Sequence, residues 1–257
     1  MPRLPLNTLT RHRHLLAVLL RREVASRTSG TALGWFWMLL QPALQVAAMW
    51  FLLDVVLKVR FPGLPGGFVP YYLTGMIPWL LLSEVIQRSL TVLNDYAALY
   101  QRSVFPTAVL PLLPLVVSAC IYLVIYVVVC TLFAGVHGTL AAAAIVLTLT
   151  IWLLPLVYLL AVFGLFVRDL AQFAPFALTM MLYVTPILYV PQALPASLQW
   201  WLHVNPFAPL IALAHALVQG HAMARRDLLL PLAIWLLLLW PARRVYRRSE
   251  PHLREAL

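Results

Sequence analysis

From Thr139 to Val190 the chain runs for about 50 residues in which the only charged side chains are the adjacent Arg168 and Asp169. A helix needs about 20 apolar residues to cross a bilayer, so this stretch is too long for one crossing and right for two. The turn between them belongs at the charged pair. Composition agrees: 63% of residues are hydrophobic and 10% charged, against roughly 25% charged in a soluble domain. Too few polar side chains remain to cover a water-facing surface. The apolar runs are long and continuous, unlike the alternating ten-residue segments of an outer-membrane barrel. The sequence therefore predicts an all-α integral membrane protein.

Four further runs complete a set of six predicted spans: 33–57, 68–86, 108–133, 139–167, 170–190 and 224–246. The third carries Pro111 and Pro114 near its start, and the last is short and borrows flanking residues. Six crossings put both termini on one side. Arg3, Arg11, Arg13, Arg21, Arg22, Arg27, Arg88, Arg102, Arg168, Arg243, Arg244, Arg247, Arg248 and Arg254 then lie on the side of the termini. Lys58, Arg60, Arg225 and Arg226 lie on the other, and the two groups account for all 18 Lys and Arg. The excess predicts cytoplasmic termini and explains the net charge of +10 by membrane orientation rather than nucleic-acid binding. The opening of the chain is basic and lacks a short apolar core with a small-residue cleavage site, so no cleaved signal peptide is expected. Arg168-Asp169 becomes a tight cytoplasmic turn, which either fixes topology alone or serves function as well.

Three segments are not expected to cross. Residues 10–27 are too short and too basic, and read as an amphipathic helix in the inner interface. Residues 88–106 read as a cytoplasmic loop with a short helix (Leu93, Tyr96, Leu99, Tyr100) stopped at Phe105-Pro106. Residues 191–223, with Pro191, Pro195, Pro206 and Pro209, read as an external re-entrant or interfacial hairpin.

The chemistry that is absent narrows function. The single lysine, Lys58, follows no glycine-rich loop, so no phosphate-binding loop for ATP exists here. Motifs for metalloproteases, thiol redox centres and serine hydrolases are missing too. Cys120 and Cys130 read as small buried hydrophobes, and His215 and His221 as structural. Intramembrane acids are scarce. Asp54 lies near the outer end of the first span, and Glu84 can pair with Arg88 at i+4. A proton- or sodium-driven transporter normally carries such acids near the midplane. The chain reads as a transport subunit, not an enzyme, whose energy comes from another chain. Trp35, Trp37, Trp50, Phe51, Tyr71, Trp79, Tyr122 and Tyr126 are either interface belts and core or rings lining a channel, where aromatic faces can stack on sugars.

Several segments, in order along nearly the whole chain, resemble the ABC-2 type permeases. Leu33-Gly34-Trp35…Gln41-Pro42 is similar to the start of their first span. YLTGMIPWLLLSEVIQRSL (72–90) resembles the second span of the branch that exports O-antigen, capsule and teichoic acid. LYQRSVFPTAVLP (99–111) is similar to that branch's K-x-x-F-P-x-x-x-L-P segment, with Arg102 where a lysine pair is common. FVRDLAQF (166–173) resembles its F-R-D turn. TPILY (185–189) and VNPFAPLI (204–211) are similar to its S-P-x-x-Y and N-P-x-x-x-x-I segments, with Thr185 in place of serine. The tail RRSEPHLREAL resembles its C-terminal signature.

The resemblance implies a bacterial inner-membrane homodimer working with two copies of a separate ATPase subunit that binds ATP and Mg, while this chain binds no cofactor. It implies a lipid-linked polysaccharide as cargo. Coupling to the ATPase falls on the loop containing Asn94, Tyr96, Leu99, Tyr100, Arg102 and Phe105, and on Arg21 and Arg22 of the interfacial helix. Arg168 and Asp169 sit near the cytoplasmic mouth. Trp200, Trp201, Asn205 and Pro206 belong to an external gate, and the first span lines the channel. Three rivals stay open: an ABC-2 exporter of a lipid or small drug, a secondary transporter, and a lipid-linked sugar transferase.

Overall fold

The computed structural model describes residues 13–59, 67–97, 107–220 and 225–256, and among them every regular element is helical. Helix α1 spans Arg13–Thr28. A helical run Gly34–Val56 follows, consisting of a 3₁₀ turn, α2 (Trp37–Trp50) and a π-helical end (Phe51–Val56). Then come α3 (Phe68–Asp95), α4 (Leu112–Phe166), α5 (Asp169–Val184), α6 (Trp201–Val204), α7 (Ala208–Gln219) and α8 (Arg225–Ala256). Among the described residues, four helices are long and apolar enough to cross a membrane: Gly34–Val56, Phe68–Asp95, Leu112–Phe166 and Leu229–Ser249.

The 55-residue α4 is two helices, not one. A straight helix of that length would measure about 80 Å, far more than a bilayer. Gly135, at φ +55° and ψ −141°, takes a backbone shape that only glycine adopts readily. The chain reverses there, so that the Thr131 and Thr139 hydroxyls meet at 2.7 Å. The arms 112–134 and 136–166 coincide closely with the third and fourth predicted spans. The predicted turn at Arg168-Asp169 is also present: α4 ends at Phe166 and α5 begins at Asp169. Asp169 in the first turn of α5 places a carboxylate at the positive end of the helix dipole.

Helix α3 is the mast of the fold. Of its most apolar stretch 78% is buried, against 6% for Gly34–Val56. Tyr126 of the first α4 arm donates its hydroxyl to Thr74 O (2.9 Å), and Tyr72 donates to Val46 O of α2 (3.3 Å). The second arm crosses α3 so closely that a Cβ on Gly164 would collide with the backbone of Leu90. Two indoles hold α8: Trp152 donates to Pro231 O (3.1 Å) and Trp235 to Ile151 O (2.8 Å).

Two expectations change. The sequence ends the second span at residue 86 and starts a loop soon after, but α3 continues to Asp95. Val92, Leu93 and Tyr96 are buried in a second apolar cluster with Leu19, Val162 and Leu165, so protein replaces lipid as their cover. The sequence runs the fifth span over 170–190, but α5 stops at Val184. Thr185 is extended (φ −85°, ψ +138°) because Pro186 follows it. The segment 191–223 contains Ala196–Val204 and Ala208–Gln219, bent by 94° at the break around Pro206.

Gly164→Val should destabilise the purified protein by about 1–3 kcal/mol, as overpacking at a close backbone contact does. Thermal or denaturant unfolding measures this. Leu237→Ala, at a position 75% exposed on α8, should leave stability nearly unchanged.

Candidate functional site

An ionic network joins α1 to α3 and to the first arm of α4. The Arg27 side chain is 2% exposed. Its Nη1 donates to Glu84 Oε1 at 2.7 Å and to Ser118 Oγ at 3.2 Å. Its Nε and Nη2 donate to Glu23 Oε1 at 3.1 and 3.0 Å. Glu84 Oε1 also accepts from Arg88 Nε at 2.9 Å and from the Ser118 hydroxyl at 3.2 Å. The second Glu23 oxygen accepts the Tyr96 hydroxyl at 3.0 Å. Two carboxylates and two guanidinium groups therefore balance. Burial is the largest influence on Arg27 and lowers its pKa; Glu84 and Glu23 act against it, and Arg88 adds to it. For Tyr96, burial and then Glu23 push the phenol upward, so it stays a neutral donor.

In α1 the stripe turned toward the protein mixes apolar and ionic side chains: Leu19, Glu23 and Arg27, at i, i+4 and i+8, while Val18 is 62% exposed. Arg22 lies over the Tyr96 ring, its guanidinium carbon 5.4 Å from the centroid. Arg21 and Asn94 are exposed. Leu99, Tyr100, Arg102 and Phe105 lie outside the described residues. Of the predicted coupling residues, the structure thus brings together Arg22 and Tyr96.

Beside the network lies a cavity of about 510 Å³ bounded by α2, α3, the first α4 arm and α5. Arg27, Glu84 and Arg88 form one end. Gln41 and Gln45 of α2, and Ser83 and Gln87 of α3, contribute two i, i+4 polar pairs. Trp37, Trp79 and Tyr122 supply aromatic wall. Polar side chains within a membrane span usually face a cavity or a partner and mark function.

The remaining aromatic candidates divide. Trp50 and Tyr122 border a second, apolar cavity of about 350 Å³. Trp35 and Phe51 are exposed on the surface of the first helical run. Tyr71 and Tyr126 belong to the interior, with their hydroxyls on backbone carbonyls. Arg168 and Asp169 are exposed at their turn.

Tyr71 anchors the bent segment. Its hydroxyl is shared between Pro186 O (2.9 Å) and Tyr189 O (3.0 Å). Its ring stacks on His215 of α7 at 4.0 Å, and His215 Nε2 lies 3.0 Å from Tyr71 O. Asn205, buried at the break, donates to Thr185 Oγ1 (2.9 Å) and accepts from Phe207 N (2.9 Å), with Pro206 between. Trp200, 54% exposed, packs edge-on against Trp201 at 5.3 Å.

The sequence alone points to Glu84 and Arg88 as a pair but gives no role to Glu23, Ser118 or the glutamines. Their signal is an i, i+4 spacing of polar residues, mostly inside apolar runs: Glu23/Arg27, Gln41/Gln45 and Ser83/Gln87. Arg27→Leu leaves two carboxylates short of their shared donor and should cost about 3–5 kcal/mol in unfolding free energy. Tyr96→Phe, which strips one hydrogen bond from a buried carboxylate, should cost about 1–3 kcal/mol by the same measurement.

Comparison with known proteins adds the relationship. The profile of the ABC-2 type transporter family matches residues 14–217. An O-antigen export system permease protein, RfbA, of Myxococcus xanthus is 26% identical over 258 residues, covering 97% of each chain. The protein of the same name from Klebsiella pneumoniae is 27% identical over 209 residues, 77% of each chain. The matched region holds every element that builds the ionic network and the polar cavity, and the chain belongs to the ABC-2 type transporter family.

Proposed function

We propose that this chain is the permease subunit of an ATP-binding cassette exporter that moves a lipid-linked polysaccharide, such as an O-antigen, out of the cytoplasm. The energy comes from a separate ATPase subunit that binds ATP and Mg. The names of the relatives support the cargo, and the family match supports the division of labour. The observation that carries the reading is the buried tie from α1 through Arg27 to Glu84 of α3. It connects a basic helix at one end of the molecule to its central mast, in a chain with no phosphate-binding loop of its own.

In this reading the two arms of α4, the helical run Gly34–Val56, α3, α5 with its following turn, and α8 make six crossings. Both termini are cytoplasmic in a bacterial inner membrane, α1 lies along the inner interface, and 191–223 forms an external re-entrant gate. A second copy covers the first helical run, which has apolar residues and little protein cover, and the dimer recruits two ATPase subunits. ATP-driven closure of those subunits presses on α1 and on the loop after α3. The ionic network transmits that motion to the mast because its members are held by short, charge-assisted bonds that resist sliding. The channel then widens along α2 and α5.

Deleting the chain in a strain with its ATPase should abolish surface polysaccharide and leave lipid-linked glycan inside, read by gel profile of surface and cell-retained glycan. Tyr100→Ala or Phe105→Ala should reduce both export and co-purification of the ATPase. Export that continues in full without the chain refutes the function; full export and assembly in both loop variants refutes the coupling assignment.

A further inference from the structure

The exposed face of α8 changes character along its length. Between Asp227 and Glu250 the chain carries no acidic residue. Leu229, Leu232, Leu236, Leu237 and Trp240 are exposed, and from one turn further on so are Arg243, Arg244 and Arg247. At 3.6 residues per turn these positions fall within a sector of about 140°. The buried positions Pro231, Ala242 and Tyr246 lie outside that sector, toward the protein, and Tyr246 meets the Tyr158 ring of the second α4 arm at 5.1 Å. One exposed stripe therefore passes from aliphatic to aromatic to cationic.

The spacing along that stripe matches one leaflet of a bilayer. Leu229 to Trp240 covers about 16 Å at 1.5 Å per residue, and the hydrocarbon of one leaflet is about 15 Å deep. Arg243 to Arg247 lie about 5–10 Å beyond Trp240, at the depth of the headgroups. Trp240, 66% exposed, stands at the boundary that indoles favour. The Arg244 guanidinium carbon lies 5.1 Å from the centroid of that ring, which steadies the side chain and leaves its N–H edges open. Arg27 and Arg88 are committed to carboxylates of their own protein, whereas Arg243, Arg244 and Arg247 form no ion pair among the described residues. Guanidinium groups at headgroup depth offer paired N–H donors to a phosphodiester. An acidic protein surface would answer the arginines alone. A phospholipid answers the whole stripe.

We infer that the basic end of α8 is a binding site for an anionic glycerophospholipid, with its phosphodiester held between Arg243 and Arg247, Arg244 flanking it, and an acyl chain along Trp240, Leu237 and Leu236. The inference needs only that α8 lies in a bilayer, and neither the cargo nor the ATPase of the proposed function enters it. A lipid held there fixes the depth of the helix to which the second α4 arm is tied by Trp152 and Trp235. The charge of the surrounding leaflet then sets how firmly this side of the molecule is anchored.

The test titrates the purified full-length chain, in a neutral detergent, with dioleoylphosphatidylglycerol or dioleoylphosphatidylcholine. Native mass spectrometry counts lipid-bound and lipid-free protein. The two lipids share their acyl chains and differ in net charge. The native sequence should reach half-occupancy with the phosphatidylglycerol at a concentration roughly five- to twentyfold lower than with the phosphatidylcholine. Arg243→Gln with Arg247→Gln should remove most of that preference. Lys58→Gln with Arg168→Gln removes as much charge from other exposed positions and should preserve it. Both arginines of the first pair are exposed, so their loss should cost little stability. If that double variant nevertheless fails to fold, each single variant carries the test, with roughly a two- to fivefold loss of preference expected. No preference in the native sequence overturns the inference and leaves the stripe to a protein partner. A preference unchanged in the Arg243 and Arg247 variants, or lost equally in the Lys58 and Arg168 variant, reduces the effect to the bulk attraction of a basic protein and also overturns it. Glycerol 1-phosphate at millimolar concentration should not displace the phosphatidylglycerol; displacement overturns the lipid site in favour of a soluble anion.

Discussion

A guanidinium group that is almost completely sealed from solvent must be given carboxylates, and at Arg27 that requirement organises one end of the molecule. No single element supplies enough. Glu23 comes from the same helix one turn earlier, Glu84 from the mast and Ser118 from the first arm of α4. Satisfying one side chain therefore fixes three elements in register. Glu84 is pinned in turn by Arg88 on its own helix, and Glu23 by Tyr96 from the end of that helix. Removing Arg27 strands Glu23, whose side chain is only 8% exposed, where water cannot readily replace the lost partner.

The bilayer imposes the rest. Backbone amides in hydrocarbon must be satisfied within the protein, so the chain enters as helices and tolerates Pro42, Pro78, Pro155 and Pro175 inside them. Side-chain polarity is confined to places where protein shields it. The result is a spatial division. One half is joined by hydroxyl-to-carbonyl and stacking contacts around Tyr71, His215 and Asn205. The other is joined by ions around Arg27. The cavity lies against the ionic half, flanked by α2 and α5.

Much of this is legible in the sequence because hydrocarbon length is a severe filter. A charge-poor stretch of about 50 residues is too long for one crossing, and the structure breaks it at its single charged pair, where α4 ends at Phe166 and α5 begins at Asp169. The Gly135 reversal falls where the sequence divides the third span from the fourth. What is not legible depends on tertiary contact. Val92 and Leu93 resemble loop residues beyond a span, and only contacts with Leu19 and the second α4 arm turn them into the continuing core of α3. The end of α5 is set by one local rule at Thr185-Pro186, masked because apolar residues continue past it. The role of Glu23 is hidden because basic residues dominate its helix, and charge counting treats Arg27 as a topology marker. The loop residues Leu99, Tyr100, Arg102 and Phe105 lie outside the described residues, so their part in coupling rests on sequence alone.

The reversal at Gly135 bears on how the polypeptide is made. No charged residue occurs between Arg102 and Arg168, so neither arm carries a topogenic signal of its own. The tight bend at Gly135 leaves almost no hydrophilic mass between the two arms. Orientation of the middle third of the protein is inherited from its flanks, and the arginine at position 168 is the first residue after the pair that can hold it in place.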